Sequence, residues 1–259
     1  MAMKNKWKII GMLLVLFVIA GLASARSILA IFNKKEEKKK VADIVQKVTP
    51  RKYDEKLIVK LDQALSLFTR NQYTISGRID MLNKADTSEH MHNVFFICRN
   101  GNNFYYKMGE IEQIVNSGIC LDIDNNTKRV FAKSNKITDS FKIVDVAQLK
   151  QALLSEQYDL VSSEHDNLKT ISLKNEHHIT CKEYSVTFDT VSNKLAGIKY
   201  RLTYFKDPLN INKEKDVNIT ISQCDTIADA GHLYELQNKI IDPSGRLTTK
   251  YSGYKLIRL

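Results

Sequence analysis

Two clusters in this 259-residue chain have the residue types of a metal site. Glu89-His90-Met91-His92 sets two imidazoles two residues apart, and Glu176-His177-His178 offers two more. Imidazole and carboxylate are zinc ligands, but neither cluster has the tight spacing of a binding motif and both lie in polar, turn-like sequence. No metal is expected. Asp122 and Asp124 put two carboxylates along one strand face, which suits calcium; before Asn125-Asn126-Thr127-Lys128 they read more simply as turn chemistry. His165 stands among Ser162, Ser163 and Asp166, but no nucleophile in the chain has an identifiable base. The patterns GxSxG, HExxH, GxGxxG and the P-loop are absent, and only 10 glycines are available for phosphate-cradling loops. The expectation is therefore no catalytic residue, no cofactor and no enzyme.

Aromatic residues carry more information. Phe95, Phe96, Phe104, Tyr105 and Tyr106 flank the hairpin signal Asn100-Gly101, and Tyr200, Tyr204 and Phe205 repeat the pattern on a later strand. Cross-strand neighbours of this kind pack a sheet, or line a groove for an apolar ligand. The candidate ligand-binding residues are Phe95, Tyr105, Tyr200 and Tyr204. Phe95 and Tyr105 are expected on the parity directed outward or into a pocket.

Positioning these residues falls to a mainly-β domain. Leu57, Leu61, Ala64, Leu65 and Phe68 recur at helical spacing, so a helix of about 15 residues opens the domain, started by Thr49-Pro50 or Asp54. Strands follow over residues 72–82, with Gly77 marking a bulge or bend, then 93–99, 104–108, 110–116, 119–124 and 129–133. A second helix is expected over residues 144–157, through Val146, Leu149 and Leu153. Strands resume over 158–163, 169–174, 183–190, 195–205 and 217–223, and Asp242-Pro243-Ser244-Gly245 supplies a last turn. Sequential hairpins with polar turns imply an antiparallel sheet whose apolar face the two helices cover.

The net charge of +10 is local. Residues 1–60 hold 14 Lys and Arg against 5 Asp and Glu, whereas residues 61–259 hold 25 against 24. A nearly neutral domain has no stripe for tracking phosphates, which argues against nucleic acid as a partner. The basic residues flank an apolar run, residues 9–32, about 36 Å long as a helix and enough to cross a bilayer. Lys4, Lys6 and Lys8 precede it, Arg26 lies near its outer end, and NKKEEKKK follows. Ala23-Ser24-Ala25 is the alternative, a signal-peptidase site. We expect an uncleaved signal-anchor or transmembrane segment over 1–32, a basic juxtamembrane linker over 33–53 ended by Pro50, and an extracytoplasmic domain over 54–259. That places a single-pass protein in the inner (cytoplasmic) membrane with its domain in the periplasm, or a secreted or periplasmic chain if cut after Ala25. Cys98, Cys120, Cys181 and Cys224 lack CxxC spacing, and sequence does not decide whether they pair.

The order of elements, through NGNNFYYKMG, ICLDIDNNTKRVFA, YDLVSSEHDNLKTISLKN, YSVTFDTVSNKLAGIKYRLTYF and VNITISQ, resembles the lipoprotein-carrier superfamily of the LolA/LolB type over roughly residues 55–225. The resemblance implies a strongly curved antiparallel sheet, or half-barrel, plugged by helices and holding acyl chains on its concave face. It rests on element order, so no functional residue is carried over. The domain lacks the tryptophans of that family, since Trp7 precedes the membrane segment, and an anchor would prevent free shuttling. Two functions are thus expected. One is an anchored envelope protein that binds an apolar ligand or lipoprotein acyl chain. The other is a non-catalytic subunit of a bacterial envelope assembly such as a secretion system, with envelope proteins as partners.

Overall fold

The computed structural model describes residues 53–116, 118–134, 156–227 and 238–259. The expected membrane segment and linker, and nearly all of the second helix, lie outside these residues. Among the described residues no helix is long and apolar enough to cross a membrane.

Helix α1 (Glu55–Leu65) starts where an acceptor side chain can close it: the Asp54 carboxylate takes the Lys56 amide at 2.9 Å. Its apolar stripe buries Leu61, Ala64 and Leu65. A 3-10 turn, Ser66–Thr69, continues the burial through Leu67 and Phe68 before the first strand. The 15-residue helix read from spacing is thus an α-helix with a tightened last turn.

Twelve strands then form one open, curved sheet. They are β1 (Gln72–Asn83), β2 (His90–Asn100), β3 (Asn103–Met108), β4 (Ile111–Asn116), β5 (Ile119–Asp124), β6 (Arg129–Ser134), β7 (Asp159–His165), β8 (Leu168–Lys174), β9 (Cys181–Asp189), β10 (Leu195–Leu202), β11 (Lys215–Asp225) and β12 (Lys255–Arg258). The spatial order is β12-β6-β5-β4-β3-β2-β1-β11-β10-β9-β8-β7. Two meanders, β1–β6 and β7–β11, therefore meet at one seam, where β1 pairs antiparallel with β11. Gly77 sits at that seam beside a register shift, so the bulge read from the glycine is present.

Two local expectations are corrected. The β2–β3 hairpin closes on Gly101-Asn102, one residue later than the Asn-Gly signal suggested, because Asn100 pairs with Asn103 and Gly101 takes the positive φ of 61°. The sheet is also not purely antiparallel: β12 returns to run parallel to β6.

Strand register assigns two faces. The helix face buries Tyr73, Ile75 and Ile79 of β1, Phe95 and Ile97 of β2, Phe104, Tyr106 and Met108 of β3, and apolar residues of β8–β11, in one core with Leu61, Ala64 and Leu65 of α1. On the opposite face Cys98, Tyr105, Ile114, Leu121, Ile123 and Val130 form a second core under Ile240, Tyr251, Tyr254 and Leu256 from the C-terminal segment. The two cores back onto each other at β2 and β3. This explains the apolar stretch Phe95–Cys98, where the strand is covered on both faces, whereas Val94 just before it is 68% exposed. All four cysteines are free thiols. Burial pushes Cys181 up to about 12 and Cys120 up to about 11, which keeps both in the unreactive thiol form.

Candidate functional site: the tyrosine-lined helix face and the charged brace beneath it

The four residues singled out from sequence do not form one site. Phe95 and Tyr200 both lie on the helix face and are buried. Tyr105 is buried on the opposite face, donating from Oη to Glu112 Oε2 at 2.9 Å and lying against Phe96. Phe95 pairs with Met108 and Tyr105 with Cys98, so the expectation that Phe95 and Tyr105 share a face is wrong by one residue of register. Tyr204 lies past the end of β10, half-buried, with the Lys213 ammonium 5.7 Å from its ring centre.

The helix face gathers other aromatics that sequence did not single out. Tyr184 of β9 pairs directly with Tyr200 of β10, their ring centres 5.1 Å apart and edge-on. Tyr73 meets Phe68 edge-on at 6.4 Å. At one end Tyr53 Oη donates to the Tyr158 carbonyl at 3.0 Å, and Tyr158 Oη donates to the Cys181 carbonyl at 2.6 Å. Tyr106 Oη has only the weak thioether acceptor Met108 Sδ at 3.3 Å. The Tyr184 hydroxyl is buried without a hydrogen bond of good geometry, although Tyr200 is close enough to perturb its titration. Desolvation is the main cause holding both phenols far above their usual range, so each is a neutral donor at any physiological pH. An apolar layer is therefore studded with phenolic donors, two of which, on Tyr73 and Tyr184, are buried without a hydrogen bond of good geometry. Such a hydroxyl costs about 1–3 kcal/mol until an acceptor arrives.

Beneath one end of this layer runs a buried ionic network. Lys182 Nζ meets Glu214 Oε1 at 2.8 Å, with both side chains almost fully enclosed. Arg201 Nη1 reaches Glu214 Oε2 at 3.3 Å, its Nε lies 3.4 Å from Glu183 Oε2, and its guanidinium clamps Glu176 through both terminal nitrogens. Glu183 in turn accepts from Ser185 Oγ at 2.9 Å, and Ser185 Oγ lies 2.7 Å from Ser172 Oγ, whose hydroxyl is left to donate. The pairing of β9 with β10 slips between Arg201 and Leu202, and Lys182 is the residue left over in that slip. Lys182 thus sits at a bulge, on the sequence parity of the buried Tyr184, Val186 and Phe188. Neither Lys182 nor Glu214 was singled out from sequence; only their burial marks them.

The Arg201 guanidinium, first through its hydrogen bonds, holds Glu176 below the usual carboxylate range. A carboxylate depressed in the folded state contributes stability that is present above its unfolded value of 4.5 and lost as pH falls through the lower folded value. In acid titration followed by circular dichroism, Glu176→Gln is therefore expected to be less stable than the parent at neutral pH, to lose less stability as the pH falls, and to converge with the parent in acid. An unchanged acid limb would remove Glu176 from the brace.

His92, His165 and His178 are committed elsewhere. His92 Nδ1 lies 2.5 Å from Asp80, beside Arg78. His178 takes the Cys181 amide on Nδ1 at 3.1 Å, presents Nε2 to Glu156 at 3.0 Å, and stacks its ring 5.1 Å from Tyr158. His165 and Asp166 form an exposed pair at the β7–β8 tip. Among the described residues no group of three or more His, Cys, Asp or Glu side chains is placed to hold a metal ion. Asp124 closes its turn by accepting the Asn126 and Thr127 amides, and Asp122 pairs with Lys133 at 2.6 Å.

No protein-family profile and no curated protein matches the chain. Solved structures do align with it, all at low identity and low TM-score. A LolA superfamily protein of Nitrosomonas europaea is 8% identical over 68% of this chain and 96% of its own, with a TM-score of 0.28. The Mycobacterium tuberculosis lipoprotein LppX is 9% identical over 68% and 99%, with a TM-score of 0.31. A chain of the Pseudomonas aeruginosa MucA/MucB complex is 9% identical over 69% of this chain and 60% of its own, with a TM-score of 0.39. At such TM-scores these structures transfer no residue and no activity.

Proposed function

We propose that the chain is a membrane-anchored, extracytoplasmic binding module that holds an apolar, acyl-bearing ligand between α1 and the helix face of the sheet, without catalysis. One observation carries this reading: the buried Tyr184 hydroxyl, without a well-formed hydrogen bond, beside Tyr200 in an otherwise apolar layer. A ligand whose chain is apolar and whose head is a carboxyl or ester suits both features, because its oxygens accept from the phenols while its chain replaces apolar contacts. Helix α1 covers the layer through a single stripe and leaves Val59 outside, as suits a lid.

The test is native mass spectrometry of the full chain, purified from an exporting host, with lipid extraction in parallel. An acyl-bearing molecule is expected to travel with the protein. Tyr184→Phe is expected to lower its occupancy several-fold, while stabilising the stripped protein by about 1 kcal/mol because an unsatisfied hydroxyl is removed. A stripped Tyr184→Phe protein that is less stable, together with no co-purifying lipid, would defeat the reading.

A further inference from the structure

The connection between β10 and β11, residues 203–214, has its polarity inside out. Three turns follow one another: the Asp207 amide bonds Tyr204 O at 3.0 Å, Asn210 bonds Asp207 O at 3.1 Å, and Lys213 bonds Asn210 O at 3.1 Å. The polar side chains serve the loop itself. Asp207 accepts from Asn210 Nδ2 at 3.0 Å and from Lys213 Nζ at 3.1 Å, and Asn210 Oδ1 takes the Asn212 amide at 3.1 Å. What the loop presents to its surroundings is Phe205, Leu209 and Ile211, at 80%, 74% and 59% exposure. Ile179, at 63%, belongs to the neighbouring turn, since Thr203 bonds the Thr180 carbonyl through its amide and the His178 carbonyl through its hydroxyl. Single exposed apolar residues are ordinary, but a hydrogen-bonded loop that turns three outward beside a fourth marks a contact surface. The base of the loop is fixed, because Glu214 is locked by Lys182 and Arg201.

The place of this loop in the fold names the occupant. Tyr53, where the chain arrives from residues 1–52, bonds Tyr158; Tyr158 bonds Cys181 and stacks on His178, and His178 bonds Thr203. The apolar tips and the entry of the basic linker therefore share one end of the sheet. Lys206 is exposed there, which suits an anionic head-group layer, while the Lys213 ammonium is held by Asp207. We propose that this end of the domain docks on the bilayer surface, with Phe205, Leu209 and Ile211 seated at the level of the head groups and upper acyl chains. This rests on the membrane-anchored reading above. In this arrangement the site under α1 is held end-on to the lipid that supplies its ligand.

The test uses the full chain with Trp7→Phe, reconstituted in vesicles of phosphatidylethanolamine and phosphatidylglycerol carrying a shallow brominated or spin-labelled quencher. Phe205→Trp is compared with Val191→Trp, an equally exposed position on the turn at the far end of β9. Quenching at position 205 is expected to exceed that at 191 by at least about threefold, with a blue-shifted emission. Equal quenching at the two positions overturns the proposal. So does a photoreactive side chain at position 205 that captures protein instead of lipid in native membranes. A carbonate wash of the same vesicles reports separately on the anchor: release of the chain defeats the anchored reading, while quenching still decides the docking.

Discussion

Truncating Glu214 to alanine is expected to lower the unfolding free energy by about 3–5 kcal/mol, because it leaves a buried lysine charge without its partner. Lys182 and Glu214 are 2% and 1% exposed and 2.8 Å apart, so water cannot replace the lost carboxylate. Chemical denaturation of the full chain in a mild detergent would measure the loss. The decisive comparison is the double replacement Lys182→Met with Glu214→Leu, which removes both charges and keeps the volume. It is expected to recover most of the stability, since the cost lies in one unpaired ion and much less in losing the pair. Arg78 and Asp80 give the contrast: they lie as close, at 2.7 Å, but on a solvated face. Breaking that pair is expected to cost less than about 1 kcal/mol. A small effect of Glu214→Ala would mean that the bulge at Lys182 opens to water, and the loop it braces would lose its fixed base.

The brace also shows where reading the sequence stops. Alternation and turn residues located the strands, because each hairpin is closed by its own residues: Asp189 takes the Val191 and Ser192 amides, and Asp124 those of Asn126 and Thr127. Gly77 announced a bulge because a strand interior has little other use for glycine. Lys182 gave no such sign. A lysine at the start of a strand reads as exposed by type, and the carboxylate that lets it be buried lies 32 residues away. Phe95 and Tyr105 fail for a related reason. Which parity of β2 faces which core depends on the C-terminal segment lying over β2–β6, a contact made from more than a hundred residues downstream. The parallel strand β12 was missed on the same grounds: four residues, Lys255–Arg258, carry too little alternation to announce themselves. Tyr184 sat in plain view in EYSVTFDT, but an unsatisfied hydroxyl is a property of packing and leaves no trace in spacing.

Gly77→Ala is the second large effect, expected at about 3 kcal/mol, at the upper end of what overpacking costs. An added Cβ would stand 2.0 Å from the Thr220 carbonyl oxygen and 3.0 Å from Cε1 and Cζ of Phe95. The ring can yield; the carbonyl cannot, because it belongs to the backbone of β11 across the seam. Combining Gly77→Ala with Phe95→Leu should therefore recover none of the loss, whereas recovery would place the fault in ring crowding. Gly253 is the neutral reference, since a Cβ there meets nothing within 4 Å, and Gly101→Ala isolates conformational strain at φ 61° in open space. Strain of that kind costs about 1–2 kcal/mol, so the collision at Gly77 should exceed it. The seam makes the result functional as well as structural. Residues 72–83 and 215–225 are the one antiparallel pairing that joins the two meanders, and Ile75, Ile79, Val217 and Ile219 on it floor the layer beneath α1. A protein that tolerates Gly77→Ala by parting β1 from β11 would lose that floor. If the proposed binding function holds, lipid occupancy should fall in step with the stability measured by denaturation, while Tyr184→Phe would lower occupancy without lowering stability.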